Sequence, residues 1–467
     1  MSEFKLVSPK FVPPLDENYR PAVLANRQFR KDVKESGSAQ PLVLGIERNN
    51  GEISRYETFV FTNTHPSSKA NLPYAERLIK FLLWQRGGWK VYVGGSKEIG
   101  DHIQNVYSKT GQRHFDFDFM GETVHQKKFE VVICNASDVP KAKENPKALG
   151  RHLNGCRIGF DLGASDRKVS AVINGKAVFS EEVIWEPRKH ADPEYHYKEI
   201  MASLQSAAAK MPRVDAIGGS SAGVFVDNRP MVASLFRGVA KERFNEVKQL
   251  FLRIREEMNV PMEVINDGDV TALAGAMSLE DNSVLGVALG SSEAVGYVDP
   301  CGKITGWLSE LAFAPVDYNP QAPADEWSGD IGLGASYHSQ QCVFRLAPRA
   351  GIEIPNQVTD AEKLKFVQNK LEAGDTAARK IWESMSYFMG YSIAHYADFY
   401  NLKHVLILGR CTSGIGGNII LEGANKVLKE EFPDLASRIH IQLPDEKSRR
   451  VGQSIAAASL PEFKEGN

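Results

Sequence analysis

Residues 158–180 read IGFDLGASDRKVSAVINGKAVFS, and the reading of this stretch decides the fold. An apolar strand runs into Asp161-Leu162-Gly163. After a polar turn, 164–168, an alternating apolar run is broken by Asn174-Gly175, a two-residue hairpin signal. A strand that ends in a carboxylate and a glycine, followed by a hairpin, has two readings. In one it is only a strand end and a turn. In the other, glycine lets backbone N–H groups approach phosphate oxygens while Asp161 holds a magnesium ion through water. Lys168 then stands near the phosphates or simply in solvent.

Downstream, YHYKEIMASLQSAAAKM (195–211) is a helix and VDAIGGSSAGVFVDN (214–228) a strand region. In 240–259, Phe244, Val247, Phe251, Ile254 and Met258 fall at steps of three and four, one apolar helical stripe. MEVINDGDVTALAGAM (262–277) is a strand turning into a helix, and 283–306 form a second hairpin-like pair. A long helix (376–400), the strand HVLILG (404–409) and a closing helix around 448–460 follow. Two strand pairs within one α/β region predict two related lobes facing each other across a cleft, 151–267 and 268–467.

Upstream, residues 1–40 carry Pro9, Pro13, Pro14 and Pro21 with little periodicity and read as an extended arm. Residues 41–150 read as an α/β region of their own. It has two strands around Asn49-Asn50-Gly51, a helix over 72–85, a strand at 89–95, HFDFDF (114–119) as a half-wet strand, and a strand at 129–136. VPKAKENPKALG (139–150) is the linker.

The 467 residues suffice for two or three domains. With 56 basic and 58 acidic side chains, no electrostatic footprint for nucleic acid or an anionic membrane exists. The five cysteines are scattered and unpaired in sequence, which fits reduced thiols in a cytoplasm. The N-terminus is too polar and proline-rich for a signal peptide, and no apolar run reaches the ~18 residues of a membrane span. These totals predict a soluble cytoplasmic protein acting on small molecules, without nucleic-acid or membrane partners.

Several motifs carry candidate chemistry. GSSAG (219–223) matches the nucleophile-elbow pattern with Ser221 as nucleophile, but that motif needs a helix next, and Val224-Phe225-Val226 favour a strand. Neither a Walker A loop nor GxGxxG after a strand occurs. Asn266-Asp267 stands where a strand hands over to an alanine-rich helix. Both residues suit helix capping, and the same carboxylate suits a general base. Gly290-Ser291-Ser292 is a tight turn or a phosphate cradle. Gly409–Gly417 is a loop or a glycine-rich shelf for a purine, Gly414 included.

Taken in order, these segments resemble the ROK family (repressors, open reading frames and sugar kinases) of the actin-like ATPase superfamily. IGFDLGASDRK is similar to its opening DxGGT strand and hairpin, with Ala164 in place of a glycine. AIGGSSAGVFVDNRPMVASLF is similar to its second, glycine- and proline-rich element, INDGDVTALAGA to its catalytic ENDANAAALGE, LGSSEAVG to LGTGIGGG, and ILGRCTSG to VLGGG. The resemblance covers about 156–460. It implies two ribonuclease H-like lobes and ATP-dependent, magnesium-requiring phosphorylation of a sugar or polyol hydroxyl. Asp267 would be the catalytic base, with Asn266, Glu310, Gly219 and Asn228 on the substrate. Asp161, Gly163, Ser165, Lys168, Gly290, Ser291, Ser292, Gly409 and Gly414 would lie on the nucleotide, and Asp161 on magnesium through water. A homodimer is compatible with this reading.

Departures from the pattern shape the expectation. SELAFAPV keeps Glu310 of the family's GEIGH motif but puts Phe313 where its zinc-liganding, sugar-touching histidine stands. SGDIGLGASYHS, with Leu333 and Ala335, replaces the cysteine-rich zinc loop and the glutamate after it, so no zinc is expected. Glu293 brings a negative charge into the loop expected at the phosphates. Residues 1–150 match nothing in the family and carry no helix-turn-helix pattern. The alternative is a non-catalytic sugar or nucleotide sensor that keeps the fold.

Overall fold

The computed structural model describes residues 4–163, 165–444 and 446–463; Ala164, named above as a departure, lies outside them. The chain divides into two compact units. Unit 1 is Met1–Asn145 with Val287–Ala294 and Gly306–Leu443, and unit 2 is Pro146–Gly286 with Val295–Thr305 and Pro444–Asn467.

Unit 1 begins with helix α1 (Ala22–Glu35). The stretch read as an extended arm is therefore helical over fourteen residues. Ala22, Ala25, Asn26, Phe29 and Val33 make one buried face, which the intervening basic residues disguise in the sequence. Strands β1 (Ala39–Glu47) and β2 (Ile53–Phe61) pair antiparallel from Ala39↔Phe61 to Glu47↔Ile53, so the Asn49–Gly51 turn is where the sequence put it. Helix α2 (Asn71–Arg86), β3 (Lys90–Gly94), α3 (Lys97–Val106), α4 (His114–Asp118) and β4 (Glu130–Cys134) complete a four-stranded sheet of order β2-β1-β3-β4.

HFDFDF is helix, continued by a π-helical turn over Phe119–His125, and not the strand its alternation predicts. The reason is tertiary: Asp116 is buried, accepting from Lys80 Nζ at 2.8 and 2.9 Å and from Trp84 Nε1 at 3.0 Å. Helical geometry lets Asp116 reach α2 while Phe115 and Phe119 share the adjoining face.

Unit 2 is built on β5 (Cys156–Leu162), β6 (Asp166–Ile173), β7 (Lys176–Ile184), β8 (Ala216–Ser221), β9 (Val224–Val226), β10 (Arg229–Val232) and β11 (Met262–Asn266). Its main sheet has the order β11-β8-β5-β6-β7. β5, β6 and β7 are antiparallel, and β8 and β11 run parallel to β5. The β6–β7 turn holds Asn174 and Gly175 at φ 47° and 78°, as the hairpin signal requires. Helices α5 (Pro193–Ala208) and α6 (Phe244–Met258) cover one face, where Ile158, Phe160, Leu204, Ile217, Phe251 and Val264 form the core. α7 (Asp267–Leu279) leaves β11 directly.

β12 (Val284–Leu289) and β13 (Glu293–Val298) run from one unit into the other and share a sheet of order β13-β12-β14-β15 with β14 (His404–Leu408) and β15 (His440–Gln442), which pair in parallel. Unit 1 continues with α8 (Gln340–Leu346), α9 (Asp360–Glu372), α10 (Thr376–Tyr396), α11 (Ile415–Glu431) and α12 (Pro433–Ala436). In unit 2, α13 (Glu446–Ala458) lies on β5 and β8. It approaches so closely that a Cβ on Gly218 would stand 1.6 Å from the Ala457 carbonyl oxygen. Among the described residues, no helix is long and apolar enough to cross a membrane.

Within unit 1 the first 145 residues are no appendage. Ala22 N–H donates to Val316 O and Tyr318 N–H to Arg20 O, and Asp16 pairs with Arg345 at 2.6 Å and Arg349 at 3.0 Å. Tyr19 is buried with its ring 4.8 Å from that of Phe388.

Candidate functional site

In unit 2 the parallel pairing of β5, β8 and β11 brings three strand ends together, Asp161 opposite Ser220 and Ser221 opposite Asn266. Ser220 Oγ donates to Asp161 Oδ1 at 2.6 Å. Burial raises the Asp161 carboxyl above the ordinary aspartate range, despite that hydrogen bond and the charge of Lys168 on β6. Lys168 stands opposite Asp161 and bridges to Asp166 at 3.0 Å. Ser221 is fully buried, and its hydroxyl has no hydrogen-bond partner among the described residues. The segment after it is turn and strand, so the nucleophile-elbow geometry is not formed.

Asp267 is the first residue of α7. Asn266 caps the helix, accepting from Gly268 N–H at 2.7 Å and donating to Gly223 O at 2.8 Å, so its amide is engaged at both ends. A Cβ on Gly268 would stand 2.6 Å from Val295 O, so glycine there lets the first turn of α7 lie directly on β13. Asp267 is half-buried, and burial together with the negative charge of Asp161 pushes its carboxyl up to about 6. Asp269, two residues on, is buried, accepts from Tyr297 N–H at 3.3 Å, and is pushed up to about 7 by burial.

Other residues nominated from sequence serve the scaffold. Asn228 holds the β11 backbone, donating to Met262 O at 3.2 Å and accepting from Val264 N–H at 2.6 Å, with neither end of its amide left for a substrate. Gly219 makes room for the Phe160 ring, which a Cβ would approach to 2.2 Å. Gly163 already donates its N–H to Asp166 O at 2.9 Å, and exposed Ser165 donates to Asp166 Oδ2 at 3.0 Å.

Within unit 1, Gly290 donates to Ser292 O at 3.0 Å in a tight turn whose two serines, Ser291 and Ser292, are exposed. Glu293 does not add charge to that turn. Its side chain is buried, accepts from Tyr396 Oη at 3.0 Å and lies 3.2 Å from His338 Nδ1. Gly409, at φ 99°, lets the end of β14 pass against Leu289. Gly414, at φ 63°, precedes α11, whose first N–H, that of Ile415, donates at 2.9 Å to the Glu372 carboxylate from α9. Glu310 is half-buried, its N–H bonded to Trp84 O, and the ring of Phe313 stacks on that of Trp84 at 4.4 Å. In the segment expected to replace the zinc loop, Leu333 and Ala335 are buried and apolar.

Sequence reasoning missed Ser220, Asp269 and Glu372. Ser220 was legible once β5 and β8 are paired in parallel, because it then falls beside Asp161. Glu372 carried no local signal, since its partner lies 43 residues away.

No protein-family model matches the chain, and no curated protein matches it in sequence. The structure is similar to that of a ROK family transcriptional regulator, a homologue of the E. coli MLC protein. The two share 15% identity over 66% of this chain and 79% of that one, with a TM-score of 0.52. A ROK family glucokinase from Streptomyces griseus (17% identity, 65% and 99% covered, TM-score 0.49) and a ROK hexokinase from Thermus thermophilus (15%, 65% and 97%, 0.49) also match. On the first of these likenesses, the chain has the fold of the ROK proteins.

Proposed function

We propose that the protein transfers the terminal phosphoryl group of ATP to a hydroxyl of a sugar or polyol. The observation that carries this reading is Asp267, a half-buried carboxylate at a strand-to-helix junction with Asp161 as its charged neighbour. Its carboxyl, held near 6, is ionised at neutral pH yet more basic than an ordinary aspartate, as a general base requires. Asp267 takes the acceptor's hydroxyl proton as the oxygen–phosphorus bond forms, and the bridging phosphorus–oxygen bond to ADP breaks. Asn266 fixes the start of α7, and Glu310 orients acceptor hydroxyls.

Phosphoryl transfer also needs charge neutralisation. Asp161, a hard oxygen donor, would hold magnesium through water, which suits an ion that keeps several waters and takes one or two carboxylates. Such an ion supplies positive charge against the phosphates. Lys168 adds a fixed positive charge beside Asp161.

A second reading rests on a specific observation. Gly163 N–H and Ile415 N–H, two groups suited to a nucleotide, are already bonded to Asp166 and Glu372. That favours a binding protein that senses a sugar without turnover. The deciding experiment is ADP release, with and without magnesium, across sugars and polyols. Acceptor-dependent, magnesium-dependent ADP supports the kinase. Ligand-induced thermal stabilisation without ADP supports the sensor.

A further inference from the structure

The carboxyl end of α2 carries the segment that holds Glu310. The orphan carbonyls of Trp84, Gln85 and Arg86 accept from the N–H groups of Glu310 (3.0 Å), Ser309 (2.9 Å) and Leu308 (3.3 Å). A helix end otherwise left to water is thus closed by the backbone of the candidate acceptor-binding residue. The same helix places the Trp84 ring against Phe313, with centroids 4.4 Å apart and planes 23° apart. Phe115 and Phe119 join this stack from α4 and the π-helical turn, at 6.0 and 6.5 Å from Phe313 and 5.7 Å from each other. π-helical turns occur often at functional sites.

Burial differs within the stack. Trp84 is fully buried, whereas Phe115, Phe119 and Phe313 are each partly exposed residues. Asp116, clamped by Lys80 and Trp84, fixes the helix that presents two of these rings. Three partly exposed phenylalanines, Phe313 three residues from Glu310 and the other two stacked near it, therefore stand together within unit 1. Such a wall cannot hydrogen-bond a hydroxyl, but it rewards an apolar group at a distance from the hydroxyls that Glu310 takes.

We propose that residues 71–119 complete the acceptor site, and that Phe115, Phe119 and Phe313 form an apolar wall selecting a sugar or polyol that carries an apolar ring substituent beside its hydroxyls. This rests on the acceptor role given to Glu310 under the proposed function. It gives the N-terminal region a task in specificity.

Calorimetric binding of glucose and mannose, each against its phenyl glycoside, tests the proposal without requiring turnover. The wild-type protein should bind the phenyl glycosides about tenfold more tightly than the parent sugars, the scale of one aromatic contact. Phe115→Ala with Phe119→Ala should remove that preference. Phe115→Leu with Phe119→Leu, which keeps apolar volume, serves if the first pair fails to fold, and should reduce the preference. Equal affinity for substituted and parent ligands, no binding of either, or a preference that survives in a folded double variant overturns the proposal. ADP release is measured separately. ADP without the preference leaves the kinase standing and removes the wall, and the preference without ADP does the reverse.

Discussion

Asp267 in unit 2 and Asp330 in unit 1 are both half-buried aspartates, and their carboxyls shift in opposite directions. Burial acts upward on each. Asp267 faces a second carboxylate, Asp161, and ends near 6. Asp330 sits among Lys80 at 3.4 Å, Arg77 at 2.9 Å and Arg113 at 2.5 Å, whose charges overcome the burial effect and hold it well below the usual carboxylate range. The lesson is that burial raises a carboxyl and that surrounding cations, where the fold supplies them, reverse the effect. One is kept basic, the property on which the proposed general base rests. The other is saturated and ties Arg77, Lys80 and Arg113 to the loop that stands where the zinc motif was expected.

The sharpest way to break this contrast is to neutralise the first group. Asp267→Asn keeps the shape and an acceptor for Gly268 N–H, so the fold should persist while phosphoryl transfer falls about a hundred- to ten-thousand-fold in initial-rate assays. The same assignment predicts a wild-type rate that rises with pH through about 6 and then levels, because the base must be ionised. A rate in the variant equal to wild type would return Asp267 to a mere helix-start residue.

Asp330→Ala should act on stability. It leaves three buried cations without their shared carboxylate, at a cost of about 3–5 kcal/mol in denaturant unfolding. The sign with pH follows from the lowered folded-state value. The contribution of Asp330 is complete above the ordinary aspartate range near 4 and is lost as pH falls through the depressed value. Wild type and variant should therefore converge in acid.

Asp267→Asn should carry the reverse stability signature. A raised folded-state carboxyl favours the folded protein below about pH 4, and that advantage disappears as pH rises through about 6. At pH 7 the variant should be more stable than wild type, by on the order of 1–2 kcal/mol, with the difference shrinking towards pH 4. Equal stability across that range would show that neither burial nor Asp161 raises the Asp267 carboxyl in the folded protein.

The smallest effect is expected at Glu372. Glu372→Gln keeps a hydrogen-bond acceptor for Ile415 N–H but removes a negative charge from the start of α11, which should cost about 0.3–1 kcal/mol. If that carboxylate occupies ground that a nucleotide needs, ATP affinity in the variant should rise. Unchanged affinity would separate this helix start from nucleotide binding.

Much of unit 2 was legible from residues 158–180, because the hairpin signal at Asn174-Gly175 and the apolar alternation are local. The Asn266-Asp267 junction was legible for the same reason, with a strand pattern giving way to a helical one at a capping residue. Local pattern also misled. HFDFDF alternates like a strand, yet Asp116 follows Lys80, 36 positions earlier, into a helix. Asn228 and Gly219, placed on the substrate by the family resemblance, are engaged with the backbone of β11 and the ring of Phe160.

By itself, the sequence determined the order of strands and helices in unit 2 and the turn positions, and it nominated Asp161 and Asp267 as candidate carboxylates. Periodicity and turn chemistry are written in neighbouring residues. Only the tertiary structure decided the state of those carboxylates and the standing of the first 145 residues. An ionisable group takes its character from the burial and the charges that the fold supplies, here burial and Asp161 for Asp267 and Lys80, Arg77 and Arg113 for Asp330. The N-terminal region joins unit 1 through backbone bonds from α2 to residues 308–310 and through Asp16 and Tyr19, pairings across some 220 to 370 positions that no local pattern encodes.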